Sequence, residues 1–185
     1  MSEQELKEAV KVLKKESESI DRAASQLGKN FSQALDILSK PKNKIIVCGI
    51  GKSGLLGKKL AATFCSTGSP ASFLHASEAV HGDLGIHQTG DPVIFLSNSA
   101  STPELLFLEP IFRKRKGKIV GIMGNADGPL IKKVDVFLNS SVLSEADPLG
   151  IVPTASFMVS AALGDALASG LMKRKKFTKS EYART

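Results

Sequence analysis

The chain of 185 residues contains few aromatic residues and few cysteines, and each shortage narrows the functions open to it. Aromatic residues make up 5% of the sequence and tryptophan is absent, so the stacking surfaces typical of nucleic-acid-binding proteins are scarce. The two cysteines, Cys48 and Cys65, do not have the spacing of a metal-binding or redox pair. We therefore expect both thiols to be reduced and buried, as in a cytoplasmic protein.

A secretory signal is not evident, because no basic stretch followed by an apolar stretch opens the chain. The most apolar late segment, residues 155–172, contains Asp165, two glycines and three serines. This composition predicts the buried helix of a soluble domain rather than a membrane span. We therefore expect no membrane partner.

The formal net charge of +7 arises largely from two basic clusters, residues 113–116 and 173–176. Each cluster follows a helical pattern, where cations complement the helix dipole and stay solvated. Together with the scarcity of aromatic residues, this placement favours solvated helix ends over a nucleic-acid partner. Attraction of an anionic substrate is a further benefit of the positive charge.

The periodicity of apolar residues predicts one α/β domain over residues 1–185, with an N-terminal helical arm (1–40) and a core (41–185). Helices are predicted at 3–28, 31–38, 53–67, 102–116, 128–133 and 153–172. Strands are predicted at 44–49, 71–75, 92–97, 118–122 and 135–138. Strands that alternate with helices predict a doubly wound, five-stranded parallel sheet of the flavodoxin type. The arm lies outside this repeat, so we expect it to pack on a partner subunit in an oligomer.

Residues 44–60 carry the most informative pattern, an apolar strand that breaks into a glycine-rich turn before a helix. Such a turn presents free backbone N–H groups to an anion, so we expect Gly51 and Ser53 to bind a phosphate group. Lys52 stands in the same turn, although a tight turn would not require a lysine. The lysine comes too early for a Walker loop, and no acidic residue follows at the distance that a dinucleotide site needs.

A second polar segment, residues 97–104, follows the predicted strand 92–97. Pro103 suits the first position of a helix, which makes Thr102 the expected N-cap. One cap needs one hydroxyl, whereas this loop has four. We therefore expect Ser97, Asn98, Ser99 and Thr102 to bind the phosphate.

Ionisable residues follow two other strands, in segments 78–85 and 144–154. The first segment contains Glu78 and His81, and the second contains Glu145 followed by two prolines and a glycine, which indicate a shaped connection. Glu104 lies in the first turn of the helix after Thr102, where a solvated carboxylate would also be favourable. A phosphate site surrounded by carboxylates and a histidine suits proton transfer beside a carbonyl, as in the isomerisation of an aldose to a ketose.

Seven motifs, in their order and spacing, resemble the sugar isomerase (SIS) domain of D-arabinose-5-phosphate isomerases over residues 3–180. The motifs are Gly49-Ile50-Gly51-Lys52-Ser53-Gly54, Ala61-Ala62-Thr63-Phe64, Ser66-Thr67-Gly68, His81-Gly82-Asp83-Leu84-Gly85, Ser97-Asn98-Ser99, Pro148-Leu149-Gly150 and Gly164-Asp165-Ala166-Leu167-Ala168. The resemblance implies interconversion of D-ribulose 5-phosphate and D-arabinose 5-phosphate, which supplies 3-deoxy-D-manno-octulosonate for lipopolysaccharide or capsule. It implies no nucleotide cofactor and no required metal.

The resemblance also implies roles for individual residues. It implicates Lys52, His81, Glu104 and Glu145 in activity, and it makes Glu78 similar to the catalytic base of the isomerase in glucosamine-6-phosphate synthase. The family pattern matches Ser97, Asn98, Ser99 and Thr102 to the phosphate-binding loop. It further implies a tetramer in which neighbouring subunits complete each site.

The sequence departs from the family pattern at three places. Longer members carry two regulatory cystathionine-β-synthase modules, whereas this sequence stops at Thr185. The usual histidine-proline-glycine-glycine segment is absent after Phe177-Thr178, and Ala100 replaces a glycine. If position 100 needs a positive φ, the alanine costs about 1 kcal/mol.

Two other functions stay open. A 6-phospho-3-hexuloisomerase is a relative of similar length, but the segment 81–85 argues against it. The other is a non-catalytic phosphosugar sensor. It is favoured by the absence of the histidine-proline-glycine-glycine segment, whose histidine the resemblance implicates in activity. Retention of Lys52, His81, Glu104 and Glu145 together favours the enzyme.

Overall fold

Five short apolar segments form the strands of a parallel sheet in the computed structural model, which describes residues 2–184. The strands are β1 (Ile45–Gly49), β2 (Ala71–His75), β3 (Val93–Ser97), β4 (Ile119–Met123) and β5 (Val136–Asn139), in the order β2-β1-β3-β4-β5. All residues of β1, β3 and β4 are buried, as expected for parallel strands covered on both faces. The predicted doubly wound α/β fold is confirmed, and each strand lies within one residue of its prediction.

Six α-helices and three 3₁₀ turns complete the described part of the chain. The helices are α1 (Glu3–Ser25), α2 (Lys29–Leu38), α3 (Gly51–Ser66), α4 (Pro103–Lys114), α5 (Ala155–Lys175) and α6 (Lys179–Tyr182). The 3₁₀ turns are Glu78–His81, Asp83–Ile86 and Pro129–Lys133. Residues 128–133 contain a 3₁₀ turn rather than the predicted α-helix, and the first helix stops at Ser25 because Gly28 is the N-cap of α2. The other predicted helices start and end within three residues of their predictions.

Two hydrophobic layers enclose the sheet. Helices α1, α2, α3 and α5 cover one face through a cluster that includes Leu38, Leu60 and Leu167, whereas α4 covers the other face through Leu108 and Phe112. Helix α5 has the length and composition that could span a membrane. In the fold, however, the buried side of α5 packs into the cluster that also contains Leu60 and Leu38.

The connections leave the sheet on opposite faces at neighbouring strands β1 and β3. Strand β1 continues into α3 on one face, and β3 continues into α4 on the other. Such a switch point opens a crevice beyond the carboxyl ends of the strands, which is where open α/β sheets bind ligands.

The two cysteines differ in exposure, so the prediction that both are buried was wrong for one of them. Cys48 is buried in β1, and burial raises the pKa of its thiol to about 12. Cys65 is exposed on the last turn of α3, where its thiol donates to the carbonyl oxygen of Ala71 at 3.1 Å. The buried stripe of α3 runs through Leu56, Leu60 and Phe64, and position 65 lies outside it.

Candidate functional site

A cavity of about 260 Å³ opens at the switch point. This volume is slightly below the lower end of the range for small-molecule sites, about 300 Å³, and suits a small polar ligand. The residues that line it come from the starts of α3 and α5 and from the end of β3: Ile50, Lys52, Ser53, Leu56, Leu96, Ser97, Asn98, Pro153, Ser156, Phe157 and Ser160. The structure therefore brings together four predicted site residues, Lys52, Ser53, Ser97 and Asn98.

The predicted glycine loop is the first turn of α3, which begins two residues earlier than the sequence indicated. Gly51 has φ +59°, a conformation that favours glycine and lets the strand turn directly into the helix. Lys52 and Ser53 therefore project from the helix itself. The N-cap residue Ile50 offers no side-chain acceptor, so the first N–H groups of α3 are available to an anion.

The loop between β3 and α4 also leaves a helix N-terminus without a side-chain cap. Thr102 occupies the predicted N-cap position, but its hydroxyl pairs with the Ser97 hydroxyl at 2.7 Å instead of capping α4. Asn98 and Ser99 are exposed beside this pair. Neither Ser99 nor Thr102 lines the cavity itself, so Thr102 contacts the site through Ser97.

The conformation of this loop depends on the buried residue Ala100. Its φ of +52° lies in the left-handed region, and its side chain is fully buried. The left-handed conformation costs an alanine about 1 kcal/mol, which the surrounding packing must offset. The family pattern has a glycine at position 100, and the positive φ found there is one that glycine adopts without strain.

The start of α5 supplies the side of the cavity that sequence reasoning missed. Pro153, Ser156, Phe157 and Ser160 all line it. The available signal was the predicted helix start at residue 153, which places the first two turns of that helix at the carboxyl edge of the sheet.

Glu145 lies behind this side of the cavity rather than in it. Its carboxylate accepts hydrogen bonds from the backbone N–H groups of Thr154 (2.9 Å) and Ser156 (3.1 Å) and from both of their hydroxyls. Burial raises the pKa of Glu145, but these hydrogen bonds outweigh burial and hold the pKa below its usual value. The carboxylate is therefore ionised at neutral pH and is a weak base.

The remaining predicted residues do not line this cavity. Glu104 lines a neighbouring cavity of about 400 Å³, together with the exposed apolar side chains of Val80 and Phe107. Glu78 and His81 are exposed on the first 3₁₀ turn after β2. One copy of the chain thus assembles the lysine and the hydroxyls, while these three ionisable residues lie outside.

Comparison with known proteins identifies the family of this fold. The SIS domain profile matches residues 37–170. The chain belongs to the SIS domain family. The resemblance found in the motifs is therefore confirmed, and in this SIS domain the matched region contains β1 to β5 and most of α5.

Arabinose 5-phosphate isomerases named KdsD are similar to this SIS domain. The protein from Pseudomonas aeruginosa is 41% identical over 168 residues, which cover 91% of this chain and 52% of that protein. The protein from Escherichia coli K12 is 39% identical over 172 residues, or 93% and 52% of the two chains. The chain thus spans about half the length of the curated relatives it matches.

A solved structure is similar over its whole length. A protein from E. coli CFT073, solved in complex with arabinose 5-phosphate, is 34% identical to this SIS domain and superimposes with a TM-score of 0.92. The superposition covers 99% of this chain and 98% of that one.

Proposed function

We propose that this protein is an aldose–ketose isomerase that interconverts D-ribulose 5-phosphate and D-arabinose 5-phosphate. The observation that carries the proposal is the superposition, over nearly the whole of both chains, on a relative solved with arabinose 5-phosphate. The KdsD relatives support the same activity. The cavity beside Lys52 supplies a place for the substrate.

The phosphate group of the sugar binds at the start of α3 and at the loop after β3. Neither Ile50 nor Thr102 caps its helix with a side chain, so N–H groups of α3 and α4 lack an acceptor from their N-cap residues. A phosphate provides the missing negative charge at both helix ends. Ser53, Ser97 and Asn98 line the same cavity and donate further hydrogen bonds, and Ser99 follows Asn98 in the same loop.

The chemistry is a proton transfer between adjacent carbons. A base removes a proton from C1 of the ketose and the electrons form an enediolate. A proton then returns to C2 while the O1 hydroxyl proton passes to O2, which gives the aldose. The charge that develops on the carbonyl oxygen needs a donor, and Lys52 is the cation that lines the cavity. Glu78, His81 and Glu104 are the candidates for proton carriers.

These proton carriers reach the sugar when several subunits assemble. Because Glu104 and His81 lie outside the Lys52 cavity of their own chain, we propose a tetramer in which a neighbouring subunit brings them to it. The apolar side chains of Val80 (54% exposed) and Phe107 (60% exposed) support a contact there. We place the reaction in the cytoplasm, where its product supplies the synthesis of 3-deoxy-D-manno-octulosonate.

Turnover of D-ribulose 5-phosphate by the purified protein tests the proposal. We expect arabinose 5-phosphate to form, and we expect Lys52→Ala to lower kcat by about 100-fold or more, as loss of an oxyanion donor does. The matched control is Lys58→Ala, because Lys58 is exposed on the same helix and does not line the cavity. Phosphosugar binding without any turnover would refute the isomerase and favour a sensor.

A further inference from the structure

Both oxygens of the Glu145 carboxylate are occupied within the chain. Glu145 is 9% exposed. One oxygen accepts from the N–H groups of Thr154 and Ser156 and from the Thr154 hydroxyl at 3.2 Å, and the other accepts from the Ser156 hydroxyl. Each carboxylate oxygen offers about two acceptor positions, so Oε2 is fully occupied and Oε1 retains one. Glu145 does not line the cavity, so this remaining position is not presented to a substrate there.

These contacts make Glu145 the anion at the N-terminus of α5. The N-cap residue Thr154 makes no capping hydrogen bond with its own hydroxyl. That hydroxyl instead accepts from the N–H group of Ala146 at 2.7 Å while it donates to Glu145. The carboxylate therefore satisfies two of the four N–H groups that a helix start leaves without a partner. It also ties the two ends of the segment 145–154 together.

The loop between these ends is held by a second carboxylate, Asp147. It accepts from the N–H groups of Leu149 at 3.0 Å and Val152 at 2.9 Å. The segment is thus a closed loop whose position depends on Glu145 at its base.

The same α5 start forms one side of the proposed substrate cavity. Pro153 and Ser156 line it together with Lys52 and Ser97. Ser156 connects Glu145 to the cavity directly. Its N–H group and its hydroxyl both donate to Glu145, and Ser156 itself lines the cavity. Movement of this helix start would change the shape of the cavity without removing any group that contacts the sugar.

We propose that Glu145 is a positioning residue: it fixes the start of α5, and through Ser156 it sets the side of the cavity that faces Lys52. It does not exchange a proton with the sugar. This inference rests on the proposed isomerase function, and it assigns Glu145 a role different from that of the proton carriers.

Glutamine separates the two roles, because it is isosteric with glutamate but cannot act as a base. In Glu145→Gln, the amide oxygen can accept from Thr154 and from the Ser156 N–H, and the amide NH₂ can donate to the Ser156 hydroxyl. The variant loses only the charge-assisted part of these bonds. We expect its kcat and KM to stay within about fivefold of the wild type.

The second variant, Glu145→Ala, removes all four hydrogen bonds and so disrupts the start of α5. For Glu145→Ala we expect KM for D-ribulose 5-phosphate to rise by about 10-fold or more, because the cavity loses its shape. If Glu145 were a general base, Glu145→Gln would lose about 100- to 10,000-fold in kcat with KM little changed. That result would overturn the inference.

Proteolysis gives a readout that does not depend on turnover. Leu149 and Ile151, both inside the loop, are 77% and 71% exposed, so thermolysin can cut there once the loop loosens. We expect Glu145→Ala to be cleaved there at least tenfold faster than the wild type, and Glu145→Gln to be protected like the wild type. If the wild type isomerises nothing, the proposed function fails, and proteolysis alone decides the inference. Equal cleavage of all three proteins would contradict it.

Discussion

Replacement of Gly124 by alanine tests, from outside the cavity, the proposal that the loop after β3 binds the phosphate. Gly124 directly follows β4, and its N–H group donates to the carbonyl oxygen of Asn98 at 3.0 Å. A Cβ atom at position 124 would meet the side-chain Oδ1 atom of Asn98 first, and it would lie 2.9 Å from the Asn98 carbonyl oxygen and 3.0 Å from the Asn98 Cγ atom. Both distances are shorter than a relaxed carbon contact, so the backbone at Asn98 must move away.

The expected effect is on substrate binding, because Asn98 lines the cavity. A hydrogen bond to a charged group contributes about 1.5–3 kcal/mol, and each 1.4 kcal/mol is a factor of ten in affinity. Loss of the Asn98 contact therefore raises KM for D-ribulose 5-phosphate by about 10- to 150-fold. The kcat changes less, since the contact is made in the ground state and the transition state alike.

Steady-state kinetics and calorimetric titration of inorganic phosphate measure this effect. The matched control is Gly28→Ala, at the N-cap of α2, because a Cβ there meets only the Asn30 side chain at 3.7 Å. Circular dichroism at the assay temperature confirms that each variant is folded. If Gly124→Ala kept both KM and the phosphate affinity within twofold of the wild type, the loop after β3 would not hold the phosphate.

Two further predictions concern stability away from the cavity. Phe112→Ala removes a fully buried ring that contacts Phe95 edge-on, at a centroid distance of 5.8 Å, and should lower the free energy of unfolding in urea by about 3–5 kcal/mol with KM unchanged. Burial raises the pKa of Asp135, but hydrogen bonds from the Ile119 N–H and Lys118 outweigh it and hold the pKa below its usual value. The stabilisation is therefore present above the unfolded pKa and is lost as the pH falls through the folded one. Asp135→Asn should lower the urea midpoint at pH 7, and this difference should shrink below about pH 4; a constant difference across this range would contradict the reasoning.

The sheet was predictable because its signal is local. Each strand is a short apolar run bounded by glycine, proline or polar residues, and alternation with helices leaves few topologies open. Strands β1 and β3 illustrate this, since their predicted ends at Gly49 and Ser97 match the structure. Their two following segments could be placed at one edge of the sheet for the same reason.

The details of the site depend on contacts that the local sequence does not contain. The start of α3 was placed too late because Gly51, read as a loop residue, forms its first turn with a positive φ. The partners of Glu145 lie nine and eleven residues further along the chain, so its burial was not visible from its neighbours. The Thr102 hydroxyl was expected to cap α4, but the fold brings Ser97 within hydrogen-bond distance and the two hydroxyls pair.

The separation of Glu104 from Lys52 follows from the same topology. Helices α3 and α4 leave neighbouring strands on opposite faces of the sheet, and Glu104 lines a different cavity from Lys52. The sequence indicates that both residues lie at the carboxyl edge, whereas the faces on which they stand are settled only by the fold.

A crystal structure with D-arabinose 5-phosphate bound is the most direct test of the central claim. We predict that the phosphate lies between residues 51–53 and 97–99, with the carbonyl end of the sugar near the Nζ atom of Lys52. A phosphate held elsewhere, for example by the basic residues 173–176, with the cavity at α3 and α5 empty, would contradict the account.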